Sequence, residues 1–123
     1  MEIVATKQAP EAIGPYSQAI INGGLVYTSG QIPVNPETGE IAGNTIEEQA
    51  EQALKNLAAV LEAAGSSVEK IVKTTCFLTD MSYFATFNAI YEHHIVGKPA
   101  RSCVAVKTLP KNVLVEVEAI AVV

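Results

Sequence analysis

The stretch Val113–Val123 reads VLVEVEAIAVV, and no other part of the chain restricts the fold so tightly. Side chains alternate along a strand, so Val113, Val115, Val117, Ala119 and Ala121 share one face and Leu114, Glu116, Glu118, Ile120 and Val122 the other. Both faces are substantially apolar. A strand of this kind needs cover on both sides, whereas a half-solvated strand shows apolar and polar residues in strict alternation.

The remaining pattern supplies cover for one side only. Thr45 and Glu48 have capping-box spacing, and Ile46, Ala50, Ala53, Leu54, Leu57, Leu61 and Ala64 then recur at three and four until Gly65, which predicts an amphipathic helix with Gly65 as its C′ residue. A second helix is launched at Asp80 or Ser82, carries the stripe Phe84, Phe87, Tyr91 and Ile95, and closes at Gly97 and Pro99. Strands are expected at Ile3–Ala5, Tyr16–Ile21, Leu25–Gln31, Lys70–Leu78, Arg101–Lys107 and Val113–Val123. Asn22-Gly23-Gly24 joins the second and third as a hairpin, and Ile32–Asn44 is a loop with a small hairpin around Glu37-Thr38-Gly39. The expected fold is α+β: a single domain over residues 1–123, with a mixed sheet of about six strands and two helices on one face. The uncovered face then calls for a second subunit, so the chain is expected to form a homo-oligomer.

Composition narrows the partners. The net charge of -5 and pI near 4.9 repel a polyanionic backbone, which argues against nucleic acid. No apolar run approaches the roughly 18 residues of a spanning helix, and the first residues lack the pattern of a secretory signal. Cys76 and Cys103 lie in apolar strand-like runs and read as packed free thiols. A reduced, cytoplasmic protein without a membrane partner is expected.

No phosphate loop, CxxC pair, HExxH or G-x-S-x-G is present. His93-His94 lacks a further ligand at helical spacing and reads as two exposed or capping histidines, so neither metal nor cofactor is expected. Asn88 interrupts the stripe of the second helix and needs a hydrogen-bond partner wherever it is buried. Arg101, in the segment PARSCVAV that reads as a buried strand, and Glu116 are ionisable groups among small or apolar neighbours. Either they pair with each other, or Arg101 presents its planar fork to a ligand carboxylate while Glu116 handles a proton or a water; pattern alone does not separate the two.

Four segments together carry a resemblance: GPYSQA at 14–19, TSGQ at 28–31, PARSCV at 99–104 and VEVEA at 115–119. In this order and over almost the whole chain they resemble the RidA family of 2-iminobutanoate/2-iminopropanoate deaminases, also called the endoribonuclease L-PSP or translation-inhibitor-like family. The resemblance implies a chorismate-mutase-like fold assembled as a trimer, with sites in clefts between subunits. It also implies hydrolysis of reactive 2-imino acids to 2-keto acids and ammonia. By similarity Arg101 binds the substrate carboxylate and Glu116 activates water. Tyr16, Ser29, the Gly30 backbone, Asn88 and the Cys103 main chain line the pocket. The competing function is a non-catalytic protein that senses small 2-keto acids in the same cleft. The connection between Asn88 and Arg101 is shorter than is usual in the family, which leaves the side chains accepted unassigned.

Overall fold

A computed structural model describes residues Met1–Val123. Six strands form one mixed sheet: β1 (Glu2–Val4), β2 (Ala19–Asn22), β3 (Leu25–Thr28), β4 (Ile71–Leu78), β5 (Ala100–Ala105) and β6 (Val115–Val122). Their spatial order is β1-β2-β3-β6-β4-β5. Only β4 and β5 pair in parallel; every other pair is antiparallel. The two helices, α1 (Ile46–Ala63) and α2 (Phe84–His94), each connect strands that run the same way: β3 to β4 with β6 slotted between them, and β4 to β5 directly.

Local chemistry sets the ends of α1. The Thr45 hydroxyl oxygen accepts from the Glu48 amide at 3.2 Å, as the capping-box spacing implies. At the other end Gly65 adopts φ +81, the Ser66 amide donates to the Leu61 carbonyl and the Gly65 amide to the Glu62 carbonyl, a Schellman motif. Ile46, Ala50, Ala53, Leu54, Leu57 and Leu61 are buried, and they share one core with Val115, Val117, Ala119 and Ala121 of β6. The alternation read from the terminal strand is therefore kept residue by residue.

The opposite face of the sheet has no helix over it. Pairing aligns Glu116, Glu118 and Ile120 of β6 with Phe77, Thr75 and Lys73 of β4, and aligns Ile120 and Val122 with Tyr27 and Leu25 of β3. Tyr27 and Val122 are exposed there. About six apolar side chains on an open sheet face make it a surface that seeks cover.

Two boundaries and one burial pattern depart from expectation in ways that matter for the site. β2 starts at Ala19, not Tyr16, because the Gln18 side chain takes over the local backbone: its amide nitrogen donates to the carbonyls of Thr6, Ala9 and Pro10, and its oxygen accepts from the Thr6 amide at 2.6 Å. β3 ends at Thr28, whose hydroxyl accepts from the Ala119 amide where a backbone carbonyl would otherwise serve. The chain rejoins β6 at Gln31, which exchanges hydrogen bonds with Val117. From Tyr27 to Gln31 is four steps against three from Ile120 to Val117, so Ser29-Gly30 is an extra residue's bulge. Finally, β5 is an edge strand with alternating half-buried and exposed residues, not a buried one.

Gln18 thus fastens the segment that leads into the sheet. Replacing Gln18 by Ala is expected to cost about 2 kcal/mol in urea unfolding, because the side chain is buried and its partners are left short of bonds. Amides from Ala5 to Ser17 should lose hydrogen-exchange protection while those of β4 and β6 keep theirs.

Candidate functional site

The residues singled out in the sequence fall into two groups, one on each face of the sheet. Arg101 pairs with Thr74 of β4, which pairs with Ala119 of β6, so Arg101 and Cys103 project to the helix side. Glu116 pairs with Phe77, which pairs with Val104, and projects to the open side. No ion pair joins Arg101 and Glu116; the one ion pair in the chain is His94–Glu51.

The first group lies where α2 crosses β5. Phe84, Asn88 and Tyr91 occupy one stripe of α2, four and three residues apart, and the Arg101 side chain lies along that stripe. Its Nη1 donates to Asn88 Oδ1 at 2.7 Å. Its Cζ stands 4.8 Å from the centre of the Tyr91 ring and 5.4 Å from that of Phe84. The Tyr91 hydroxyl shares a 2.7 Å hydrogen bond with Thr74, which is fully buried. Burial pushes the Cys103 thiol pKa up, with Arg101 offsetting part of the shift, and it drives that of Cys76 to about 12. Both thiols are accordingly protonated at neutral pH, the wrong state for a nucleophile.

The second group surrounds the bulge. A Cβ built on Gly30 would overlap the Glu116 carboxyl group, so a side chain at position 30 would displace that carboxyl from where it lies. Glu116 is half-buried, and desolvation, followed by repulsion from Glu118, raises its pKa above the ordinary glutamate value. The Ser29 hydroxyl donates to the Ser17 carbonyl at 2.5 Å and its amide to the Gln18 carbonyl, so this side chain is engaged within the chain. Tyr16 is exposed and lines, with Gly30 and Gln31, a groove of about 690 Å³ bounded by Lys7 and Lys111. Within one chain the structure brings Gly30 to Glu116 and Asn88 to Arg101, but leaves the two pairs apart.

Two expectations need amending. The pairing of Arg101 with Glu116 does not occur, because sheet pleating sends them to opposite faces. His94 is not simply exposed or capping: its Nε2 meets Glu51 Oε2 of α1 at 2.8 Å, which ties the two helices together and lowers the Glu51 pKa. The 84-88-91 spacing is visible in the sequence, but the aromatic support that Phe84 and Tyr91 give Arg101 is not, because the β4–β5 register that lays Arg101 on this stripe leaves no local mark.

Comparison with known proteins decides the family. The family model described as endoribonuclease L-PSP matches residues 6–123. The chain belongs to this family, the RidA family. RidA relatives include the 2-iminobutanoate/2-iminopropanoate deaminase of Escherichia coli K12, 54% identical over 123 residues that cover 97% of this chain and 95% of that protein. Among solved structures, YyfA of Yersinia pestis, named as a member of the conserved Rid family, is 52% identical with a TM-score of 0.96 and covers 99% of this chain and 98% of that one. Escherichia coli TdcF, solved with bound serine, is 48% identical with a TM-score of 0.94, covering 100% of this chain and 99% of that one. The α+β architecture expected from the sequence is thus the RidA fold. Names attached to the family range from deaminase to endoribonuclease, so membership alone fixes the activity no more finely than that.

The raised pKa of Glu116 carries a stability cost with a definite sign. A carboxyl whose folded pKa exceeds its unfolded one stabilises the fold below the unfolded pKa, and that contribution is lost as pH rises through the folded value. Glu116→Gln is therefore expected to match the parent near pH 4 and to unfold at higher temperature than the parent at pH 7. Equal melting temperatures at pH 7 would contradict the desolvated state of this carboxyl.

Proposed function

We propose that the protein hydrolyses small reactive 2-imino acids, 2-iminobutanoate and 2-iminopropanoate, to 2-keto acids and ammonia. The observation that carries this reading is Arg101: a half-buried guanidinium, braced by two rings and an amide, with no carboxylate partner in its own chain. A desolvated cation kept without a counter-ion is suited to an anionic ligand, and its fork matches a carboxylate by two parallel hydrogen bonds. The deaminase name of a relative 54% identical, and the bound serine of TdcF, itself a small 2-amino carboxylate, support the same class of substrate.

Glu116 supplies the acid–base function. A protonated imine is already a strong electrophile, so what it needs is orientation, a placed water and a proton acceptor. Water oxygen attacks the C=N carbon while Glu116 takes a water proton, giving a neutral carbinolamine. The protonated Glu116 returns that proton to the nitrogen. The C–N bond then breaks, the hydroxyl closes to the keto group, and its proton leaves with ammonia as ammonium. A raised Glu116 pKa suits both directions of this transfer better than that of an ordinary surface glutamate.

Arg101 and Glu116 lie on opposite faces of one sheet, so a single substrate meets both only where two copies of the chain adjoin. A homotrimer with its open sheet faces turned inward covers the apolar side chains there and places such a cleft between neighbours. Tyr16, Ser29 and Gly30 with Glu116 would come from one subunit, and Asn88, Arg101 and Cys103 from the next. No helix of the chain is long and apolar enough to cross a membrane.

The test generates imine in situ with a serine or threonine dehydratase and follows keto-acid release while semicarbazide traps unreacted imine. The protein should accelerate release. Arg101→Lys should raise KM and lower kcat through loss of the bidentate fork. Glu116→Gln should reduce kcat by about 10²-fold, and kcat/KM of the parent should rise with pH through the elevated Glu116 pKa. Unchanged release, combined with Arg101-dependent binding of 2-oxobutanoate, would describe a keto-acid sensor instead.

A further inference from the structure

The support beneath Arg101 is more elaborate than a salt bridge would need. Tyr91 is itself fixed from two sides: Phe87, fully buried, packs its ring at a centroid distance of 5.7 Å and an angle of 48°, and Thr74 binds its hydroxyl at 2.7 Å. A tilted aromatic pair and a buried hydrogen bond leave the Tyr91 ring little freedom. The guanidinium then lies 4.8 Å from that fixed ring, with Asn88 accepting from Nη1 and Phe84 at 5.4 Å.

We propose that Tyr91 is a positioning residue for Arg101: its ring is a fixed platform that holds the guanidinium in one orientation, so that the fork meets a substrate carboxylate without first losing its own rotational freedom. Arginine in solution spreads over many rotamers, and a ligand that must freeze them binds more weakly. Attraction between the cation and the ring face removes that cost before the ligand arrives, and does so without neutralising the charge, as a carboxylate partner would. Asn88 complements the platform. As an uncharged acceptor it fixes one Nη1 hydrogen and leaves the positive charge available. The proposal rests on the reading of Arg101 as the carboxylate ligand.

Tyr91→Phe keeps the ring and removes only the bond to Thr74; Tyr91→Leu keeps apolar bulk and removes the ring. Both should unfold at lower urea concentration. In the dehydratase-coupled assay Tyr91→Leu should raise KM by roughly three- to thirtyfold, the range of one partly desolvated cation–π contact, and Tyr91→Phe should restore it to near the parental value. The Nε–H resonance of Arg101, displaced by the ring current in the parent and in Tyr91→Phe, should move toward the ordinary arginine position in Tyr91→Leu. In an Arg101→Ala background Tyr91→Leu should raise KM no further. Parental KM and an unmoved resonance in Tyr91→Leu would overturn the proposal. So would a KM for Tyr91→Phe raised as far as that for Tyr91→Leu, which would assign the whole effect to the Thr74 bond. Arg101→Ala at parental KM would remove both the carboxylate reading and this one, whereas a defective Arg101→Ala beside a normal Tyr91→Leu would remove the platform alone. Should Tyr91→Leu not fold, Phe84→Leu, at a half-buried position, tests the second ring by the same resonance and the same KM.

Discussion

The pleat of the central strand β6 is the constraint on which the rest of the molecule depends. Val115, Val117, Ala119 and Ala121 are drawn into the helix-covered core, and that commitment forces Glu116 and Glu118 to the other side. Because β4 is in register with β6 on one edge and with β5 on the other, the same commitment sends Arg101 back under α2. A shift of one residue in the pairing of β6 would exchange its faces and bury Glu116 in the core. The cation and the carboxyl group are separated by the sheet itself, so the mechanism we propose for them needs a second copy.

Each half of the site is held by means that leave its charge state useful. Arg101 is braced by ring faces and an amide oxygen, none of which neutralises it. Glu116 is crowded against Gly30 at a bulge, half desolvated and beside Glu118, so its proton is held more firmly than usual. The fold bears unfavourable terms at both places, an unpaired cation and a carboxyl kept from water, while α1 and the core contribute the stability that tolerates them.

Much of this was legible in the sequence, and the parts that were not share one cause. α1, its Thr45 cap, its Gly65 terminus and the two faces of β6 are local patterns, written in residues a few positions apart. The strand order, with β6 inserted between β3 and β4, is not local, and neither is the parallel register that sets Arg101 beside Asn88 across thirteen residues. Composition misled at β5, where apolar residues suggested burial but the strand forms a sheet edge that one chain leaves uncovered. It misled again at Tyr16–Gln18, where a strand-like run is held instead by one buried glutamine side chain. The family resemblance supplied residue roles that pattern could not, and the geometry is consistent with those roles only if they are divided between subunits.

That division is open to a direct measurement. Arg101→Ala and Glu116→Gln, each strongly impaired but measurable alone, are unfolded together, mixed one to one and refolded, and imine hydrolysis is then assayed. With Arg101 and Glu116 drawn from neighbouring subunits, about a quarter of the sites in a random mixture combine two intact residues, and a corresponding share of parental activity should return. No recovery from a mixture shown to have exchanged subunits would contradict a site shared between chains.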